Sequence, residues 1–300
     1  MIKRIIHISN PARLSLRDNQ LSINQWNIEN TIPFEDIGVI VLEHREISIT
    51  SKIFEACDEY GATLIHCNNS YIPVTLTIPL NGHTSANNYL KNQLSASMPT
   101  KKQLWTMIVS EKIRWQIQVL KNYKIDANTL EALLLNMRSW DIDNIEWQAA
   151  ARYWKLLFWW DFLRERREDW VNAWLNYGYG IVRAAIGRSV VAGWLHPSIG
   201  IWHDNQYNYF NLVDDLIEPF RPLVDEKIKF LSLRNKDTEL NKEMKQEIIS
   251  ILTYDIPFRS RKENFTNLLT WYVASFREGL TESKQFEIPN ISTFLHNMKW

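Results

Sequence analysis

The sequence predicts an α+β protein, with a small N-terminal β-rich domain (residues 1–85) followed by a larger all-α catalytic domain (86–300). Two observations carry this. Over residues 3 to about 79 the apolar positions alternate or run unbroken in β-branched residues, whereas beyond 79–88 they recur at the helical spacing of 3.6. The segment between, PLNGHTSANN, is rich in the Pro, Gly, Asn and Ser that punctuate chains and marks the boundary. Three hundred residues with 45% hydrophobic and 12% aromatic content are ample for a real core.

In order, RIIHIS at 4–9, RLSL at 13–16, QLSI at 20–23 and GVIVL at 38–42 read as strands, with RDNQ at 17–20 turning the second into the third. Thr50 or Ser51 caps a short helix running to Tyr60, Gly61 ends it, and 62–67 returns as a strand. This first domain reads as scaffold or dimer surface, with His44 and His66 structural. Leu104, Ile108, Ile113, Ile117 and Leu120 then predict a long amphipathic helix, and 130–137 a short one. Asp143 or Asn144 can cap a helix carrying Glu146 in its first turns. Further helices are expected over 170–192, 211–231, 239–252 and 261–277. The tail after Gly279 is expected to be ordered only if a partner holds it.

Composition narrows the function. Thirty-four basic residues cancel thirty-four acidic ones, so any affinity for nucleic acid must come from local patches. Candidates are Arg164 with Arg166 and Arg167, Arg183 with Arg188, and Arg259 and Arg261 with Lys262; the Arg164 run reads as solvated surface. Cys57 and Cys67 lack any CxxC pattern and suit reduced structural thiols. No apolar run suits a signal peptide or a membrane span, so a cytoplasmic protein without a membrane partner is expected. Most of the fourteen Trp suit core packing better than base stacking.

Chemistry concentrates between Asn172 and Asp225. On a helix over 211–231, Asp215 and Glu218 stand three apart and share a face, while Asp214 points elsewhere. His203, twelve residues before Asp215, lies in a polar segment long enough to fold back over that first turn. Carboxylates with an imidazole suit Mg2+ or Mn2+. An acidic first turn is equally ordinary complementarity to the helix dipole, and a lone His is often a structural hydrogen-bonder.

GIWHDNQYNYFNLVDDLIEPFRP (200–222) resembles the C-terminal signature of the CRISPR-associated protein one family, the endonuclease and integrase of spacer acquisition. IEWQAAARYW (145–154) is similar to that family's helix with the first metal-binding Glu, NYGYGIVRAAIGR (176–188) to its Asn-Tyr-x-Tyr-x-x-x-Arg helix, and HPSIGIWH (196–203) to the turn that delivers its His. The opening HISNPARLSLRDNQLSI, the segment EDIGVIVLEHREISIT and the length resemble the type II branch. Trp147 departs from the small residue many members carry.

The resemblance implies that Glu146, His203 and Glu218 hold Mg2+ or Mn2+, with Asp215 as an additional active-site acid. It also implies hydrolysis of DNA and integration, in which the 3′-hydroxyl of a short foreign double-stranded fragment attacks the CRISPR repeat. A homodimer bridged by CRISPR-associated protein two is implied, with the type II effector nuclease as a further partner. Arg183 and Arg221 are expected to pair with active-site acids or DNA, and Tyr177, with Tyr179, to line the site. The rival readings are a non-catalytic DNA-binding scaffold of the same architecture and a hydrolase of small phosphoesters. Nine Gly and no Gly-rich phosphate loop give the second little support.

Overall fold

The computed structural model describes residues 4–26, 28–68, 73–77, 86–159, 162–164, 170–234, 239–258 and 261–290. Residues 79–85 of the boundary segment, and Arg166, Arg167 and Arg259 of the basic clusters, lie outside these. The chain divides into two compact units, Met1–Thr84 and Ser85–Trp300.

In the first unit β2 (Ala12–Arg17), β3 (Gln20–Gln25) and β4 (Ile28–Pro33) follow β1 (Arg4–Ile8) as an antiparallel meander. Asp18 and Asn19 turn the chain with φ of 46° and 58°, the double positive φ that matches strand twist in a tight hairpin. β5 (Ile37–Leu42) pairs in parallel with β1 and with β7 (Thr63–Cys67), and β8 (Pro73–Leu76) closes that sheet antiparallel, giving the order β1-β5-β7-β8. Every residue of β5 is buried, as an unbroken apolar run in the middle of a parallel sheet requires. β6 (Ile47–Ile49) runs parallel to β2. Helix α1 (Lys52–Tyr60) lays Ile53, Ala56 and Cys57 into the core with Leu14, Leu21, Phe34 and Ile40. Gly61 ends it in the left-handed region, φ 64°, as expected, although Ser51 makes no side-chain cap. Cys57 and Cys67 are both buried.

The second unit contains α2 (Ala86–Ser95), α3 (Met98–Asn122), α4 (Asn128–Leu135), α5 (Ile145–Leu157), α6 (Trp170–Ala192), α7 (Asn211–Leu216), α8 (Arg221–Arg234), α9 (Lys242–Ile249) and α10 (Phe265–Gly279). Ser97 caps α3 by accepting from the Thr100 amide, and Pro99 sits in its first turn, where no amide is missed. α3 is then the longest helix described, 25 residues, and carries the buried row Leu104, Ile108, Ile113 and Leu120 that the 3.6 spacing requires. Trp105, Trp115 and Trp174 are fully buried, so packing accounts for them, whereas Trp26, Trp147 on α5 and Trp159 are exposed.

Three expectations are corrected. The helix expected over 211–231 is broken: α7 ends at Leu216, one 3-10 turn covers Glu218–Phe220, and α8 begins at Arg221. Pro219 has no amide to donate and its ring crowds the carbonyl four residues back, whereas Pro222 falls in a first turn, where proline is tolerated. The helix expected from 261 starts only at Phe265, capped by Asn264; Arg261–Asn264 is strand β10, paired with β9 (Asp255–Phe258). The tail needs no partner as far as Asn290: Phe286 is buried against Tyr272 and Phe276, and the Ser275 hydroxyl bonds Gln285 and Glu287. Residues 291–300 lie outside the described set.

The helical core also holds acids. Burial pushes the Glu226 carboxyl up to about 8, only partly opposed by a 2.7 Å hydrogen bond from Asn122 Nδ2. Among the described residues its Oε2 has no hydrogen-bond partner. Burial likewise pushes Asp225 up to about 7. Between the ordinary carboxyl range and these values the folded chain keeps protons that the unfolded chain has released. Stability therefore falls as pH rises through that window. Thermal unfolding should give a melting temperature that declines from pH 5 to 8.5. Glu226→Gln should flatten the decline and raise stability at pH 8 by on the order of 2 kcal/mol, since each pKa unit is worth about 1.4 kcal/mol. A wild-type profile flat across that range contradicts the assignment.

Candidate active site

Four separate stretches of the helical unit build the site. The first is the turn before α5. Asn144, expected as a possible cap, sits at φ 52° and makes no side-chain cap bond, and neither does Asp143, whose carboxylate pairs with Arg138. The cap is instead Asp141, buried, whose carboxylate accepts from the amides of Ile145 at 2.6 Å and Glu146 at 3.0 Å. Two orphan donors and the positive end of the helix are satisfied together, which fixes where Glu146 leaves α5. Trp140 and Asp141 hold positive φ of 71° and 46° to make this possible, and the Trp140 amide bonds Thr106 Oγ1 on α3 at 2.9 Å.

The second is the turn 196–203. Gln93 of α2 clamps its start, donating to the carbonyls of His196 and Ile199 at 3.0 and 2.8 Å and accepting from the His196 amide at 2.8 Å. Asp215, fully buried, closes its end. Its carboxylate accepts from the amides of Ile201, Trp202 and His203 at 2.7, 3.2 and 3.0 Å, and its Oδ1 lies 2.7 Å from His203 Nδ1. Gly200 is required here, because a Cβ would run into the His203 carbonyl oxygen and the Asp215 carboxylate. The Trp202 ring stacks on Trp105 of α3, centroids 5.1 Å apart, and meets Trp140 edge-on at 4.9 Å. His203 thus presents a side chain that is 41% exposed on a fixed backbone. The bond to Asp215 raises its pKa above the ordinary histidine value against the effect of burial.

The third and fourth are the 3-10 turn bearing Glu218 and the middle of α3. Lys112 Nζ lies 2.6 Å from Glu146 Oε1 and 2.5 Å from Glu218 Oε2, so one ammonium joins two carboxylates 34 and 106 residues away. Arg221 Nε takes the other Glu218 oxygen at 2.7 Å. Burial works against each of these charges, but the Arg221 and Lys112 cations outweigh it and hold Glu218 down to about 2. Burial is likewise outweighed at Lys112, where Glu146 and Glu218 keep the ammonium above the ordinary lysine range. Arg221 lies over the Tyr179 ring at 4.8 Å, and the Tyr179 hydroxyl donates to Asp225.

The structure therefore brings Glu146 and Glu218 together and sets His203 against Asp215. Asp215 lies in α7 and Glu218 in the 3-10 turn that follows it, rather than on one unbroken helix. Among the described residues no group of three or more His, Cys, Asp or Glu is gathered as a metal site. The donor chemistry nonetheless suits a divalent ion: a cation already lies between two carboxylate oxygens, and with His203 Nδ1 committed to Asp215, Nε2 is the nitrogen left to ligate. Of the expected DNA contacts, Tyr177 is fully buried on the core face of α6 and is corrected to a packing residue. Arg183 pairs with Asp214 through two bonds of 2.5 and 2.9 Å, and Arg221 with Glu218. Arg164, expected on the solvated surface, is partly buried and bonds Asn172 and Asn176. Sequence reasoning missed Lys112 and Asp141. A trace of Lys112 was there, since it falls four and eight residues after Ile108 and Leu104, in the stripe that should be apolar.

A β-rich unit followed by a helical one is a fold shared with solved structures of low sequence identity. A casposase solved bound to its integration product superposes with a TM-score of 0.78 at 16% identity, covering 100% of this chain and 94% of that one. A Cas6-RT-Cas1–Cas2 complex gives 0.76 at 13% identity over 95% of this chain and 36% of the larger one. The model for the family "CRISPR associated protein Cas1" matches residues 6–250. A protein of Neisseria meningitidis serogroup C (strain 8013) named CRISPR-associated endonuclease Cas1 is 39% identical over 97% of both chains. The chain belongs to the Cas1 family.

Asp215→Ala would orphan three amides, that of Ile201 buried and those of Trp202 and His203 partly so, and free the His203 turn. A loss of at least about 2 kcal/mol is expected in urea unfolding, each unmatched buried donor being worth about 1–3 kcal/mol. A loss below about 0.5 kcal/mol would contradict the place given to this carboxylate.

Proposed function

We propose that this chain is a metal-dependent DNA endonuclease and integrase of CRISPR adaptation. It joins the 3′-hydroxyl ends of short foreign DNA fragments to the CRISPR repeat by transesterification. The observation that carries this reading is the convergence of Glu146 and Glu218 on one cation beside the anchored His203, in a chain of the Cas1 family. The Neisseria relative is named an endonuclease, and the casposase of similar fold is named as bound to an integration product, which supports both halves of the activity.

Glu146, His203 and Glu218 hold Mg2+ or Mn2+ in this reading. A divalent ion bound there would supply charge neutralisation at the phosphate oxygens and would make the nucleophile's proton easier to lose. The attacking 3′-oxygen forms its bond to a phosphorus of the repeat as the bond from that phosphorus to the departing 3′-oxygen breaks, and that oxygen takes up a proton. Asp215 does not touch the reacting atoms, because its carboxylate is fully committed to three amides and the imidazole. It is a positioning residue that points His203 Nε2 at the site. Arg221 keeps Glu218 ionised and in register. Arg183, about a third exposed, is placed for phosphate contact at the rim.

Two strand transfers on opposite strands of a repeat need two active subunits at a fixed distance, so a homodimer is part of the proposal, with CRISPR-associated protein two bridging it. A Cas1–Cas2 complex among the similar structures supports that partner. The type II-like branch, the effector nuclease as a further partner and a cytoplasmic location follow the same reading. No helix among the described residues is long and apolar enough to cross a membrane.

One observation favours the non-catalytic scaffold instead: Lys112 occupies the place between the carboxylates. A joining assay separates the two. With Mn2+ or Mg2+ the purified protein should join a 3′-hydroxyl oligonucleotide to a repeat-bearing duplex, and Glu218→Gln should lower joining by on the order of a hundredfold or more while the melting transition stays cooperative. Joining undiminished in the variant removes Glu218 from its role, and no joining by the wild type favours the scaffold. Sedimentation at micromolar concentration should show a dimer.

A further inference from the structure

We infer that Lys112 is an internal counter-cation, held between Glu146 and Glu218 until a divalent ion displaces it, and that this competition sets the metal affinity of the site. The inference rests on the metal reading above. The ammonium lies 2.6 and 2.5 Å from one oxygen of each carboxylate, the position from which a cation neutralises both. Lys112 and Arg221 balance Glu146 and Glu218, so the cluster is neutral with no ion bound. A divalent ion added beside the ammonium would stand within a few ångströms of a like charge in a buried place, where repulsion is little screened. The ion and the ammonium therefore exclude one another.

Lys112, rather than Arg221, is the group that leaves. Arg221 is held by its Nε bond to Glu218 and by the Tyr179 ring it lies over. Lys112 ends in a compact ammonium on a flexible four-carbon stem, and its two bonds are both to the groups the ion would take. The way out is on the α5 side, since the Glu146 side chain is 24% exposed against 5% for Glu218. Displacement carries the ammonium to the open side of the site, where it is available to a phosphate oxygen of bound DNA.

Calorimetric titration with Mn2+ alone tests this on the full chain. Lys112→Met keeps the stem and removes the charge, and should bind Mn2+ at least about tenfold more tightly than the wild type. In EDTA the same variant should melt below the wild type, because Glu146 and Glu218 then lose the cation they share, and Mn2+ should restore it. Equal or weaker Mn2+ binding by Lys112→Met overturns the competition. No Mn2+ binding by either protein overturns the metal reading itself, and Glu218→Gln, which should bind poorly, tells site binding from adventitious binding.

Should the variant not fold, the wild type supplies its own readout. Acetylation by a water-soluble succinimidyl acetate, followed by mass spectrometry, should find Lys112 slow to react without metal and several-fold faster at saturating Mn2+, with exposed Lys121 unchanged. A Lys112 rate unaffected by bound Mn2+ overturns displacement.

Discussion

Two carboxylates, Glu218 buried and Glu146 partly exposed, meet between α3, α5 and a 3-10 turn, and like charges that close repel unless positive charge lies within reach. Lys112 meets that requirement. Its ammonium ties Glu146, delivered by the Asp141-capped helix, to Glu218, delivered by the break at Pro219, and it does so from the middle of the longest helix described. An uncompensated acid in this position would cost several kcal/mol. The rest of the catalytic geometry hangs on that bridge: the break in the 211–231 segment is in the right place only if Glu218 is turned toward α3, and Arg221 can then reach back to its second oxygen.

The other half of the site is held without net charge exchange. Asp215 fixes the 201–203 turn by accepting three amides, Gly200 lets the backbone come close enough for that to happen, and Trp202 is gripped between Trp105 and Trp140. Both halves share the α3 scaffold, since Trp105 and Lys112 are seven residues apart on one helix and so lie nearly two turns along the same face. Spacing between His203 and the acids is therefore set by a single rigid element, whose packing leaves little room for drift.

Much of this was legible in the sequence, and the parts that were not share a cause. The switch from period two to period 3.6 places the sheets and helices correctly, and α3 and α6 follow from their apolar stripes. Boundaries failed where a local signal competed with the pattern. Pro219 interrupts an apolar run that continues through it, and Asn264 rather than the basic cluster before it starts α10. Glu146, His203 and Glu218 were singled out through motifs, but Lys112 belongs to no motif, and its partners lie 34 and 106 positions away. A charged residue inside an apolar stripe was its only trace. Asp141 was hidden in another way: a cap is sought immediately before the helix, whereas this one acts from four residues upstream through a backbone with two positive φ values.

Behind Glu218 lies a second layer that explains why the site divides into a fixed and an adjustable part. Arg221 touches Glu218 on one side and the Tyr179 ring on the other, and Tyr179 donates to Asp225, itself buried in α8. Arg164 also lies over the same ring at 5.3 Å and is tied to Asn172 and Asn176 of α6. The network ends in packed helices, so neither Arg221 nor the far oxygen of Glu218 can move without disturbing a buried carboxylate and two arginines. Among the described residues no such second layer backs Lys112, whose ammonium bonds the two acids of the site itself. Any change of charge at the centre is therefore taken up on the Lys112 and Glu146 side, while the Glu218 side stays where α8 puts it.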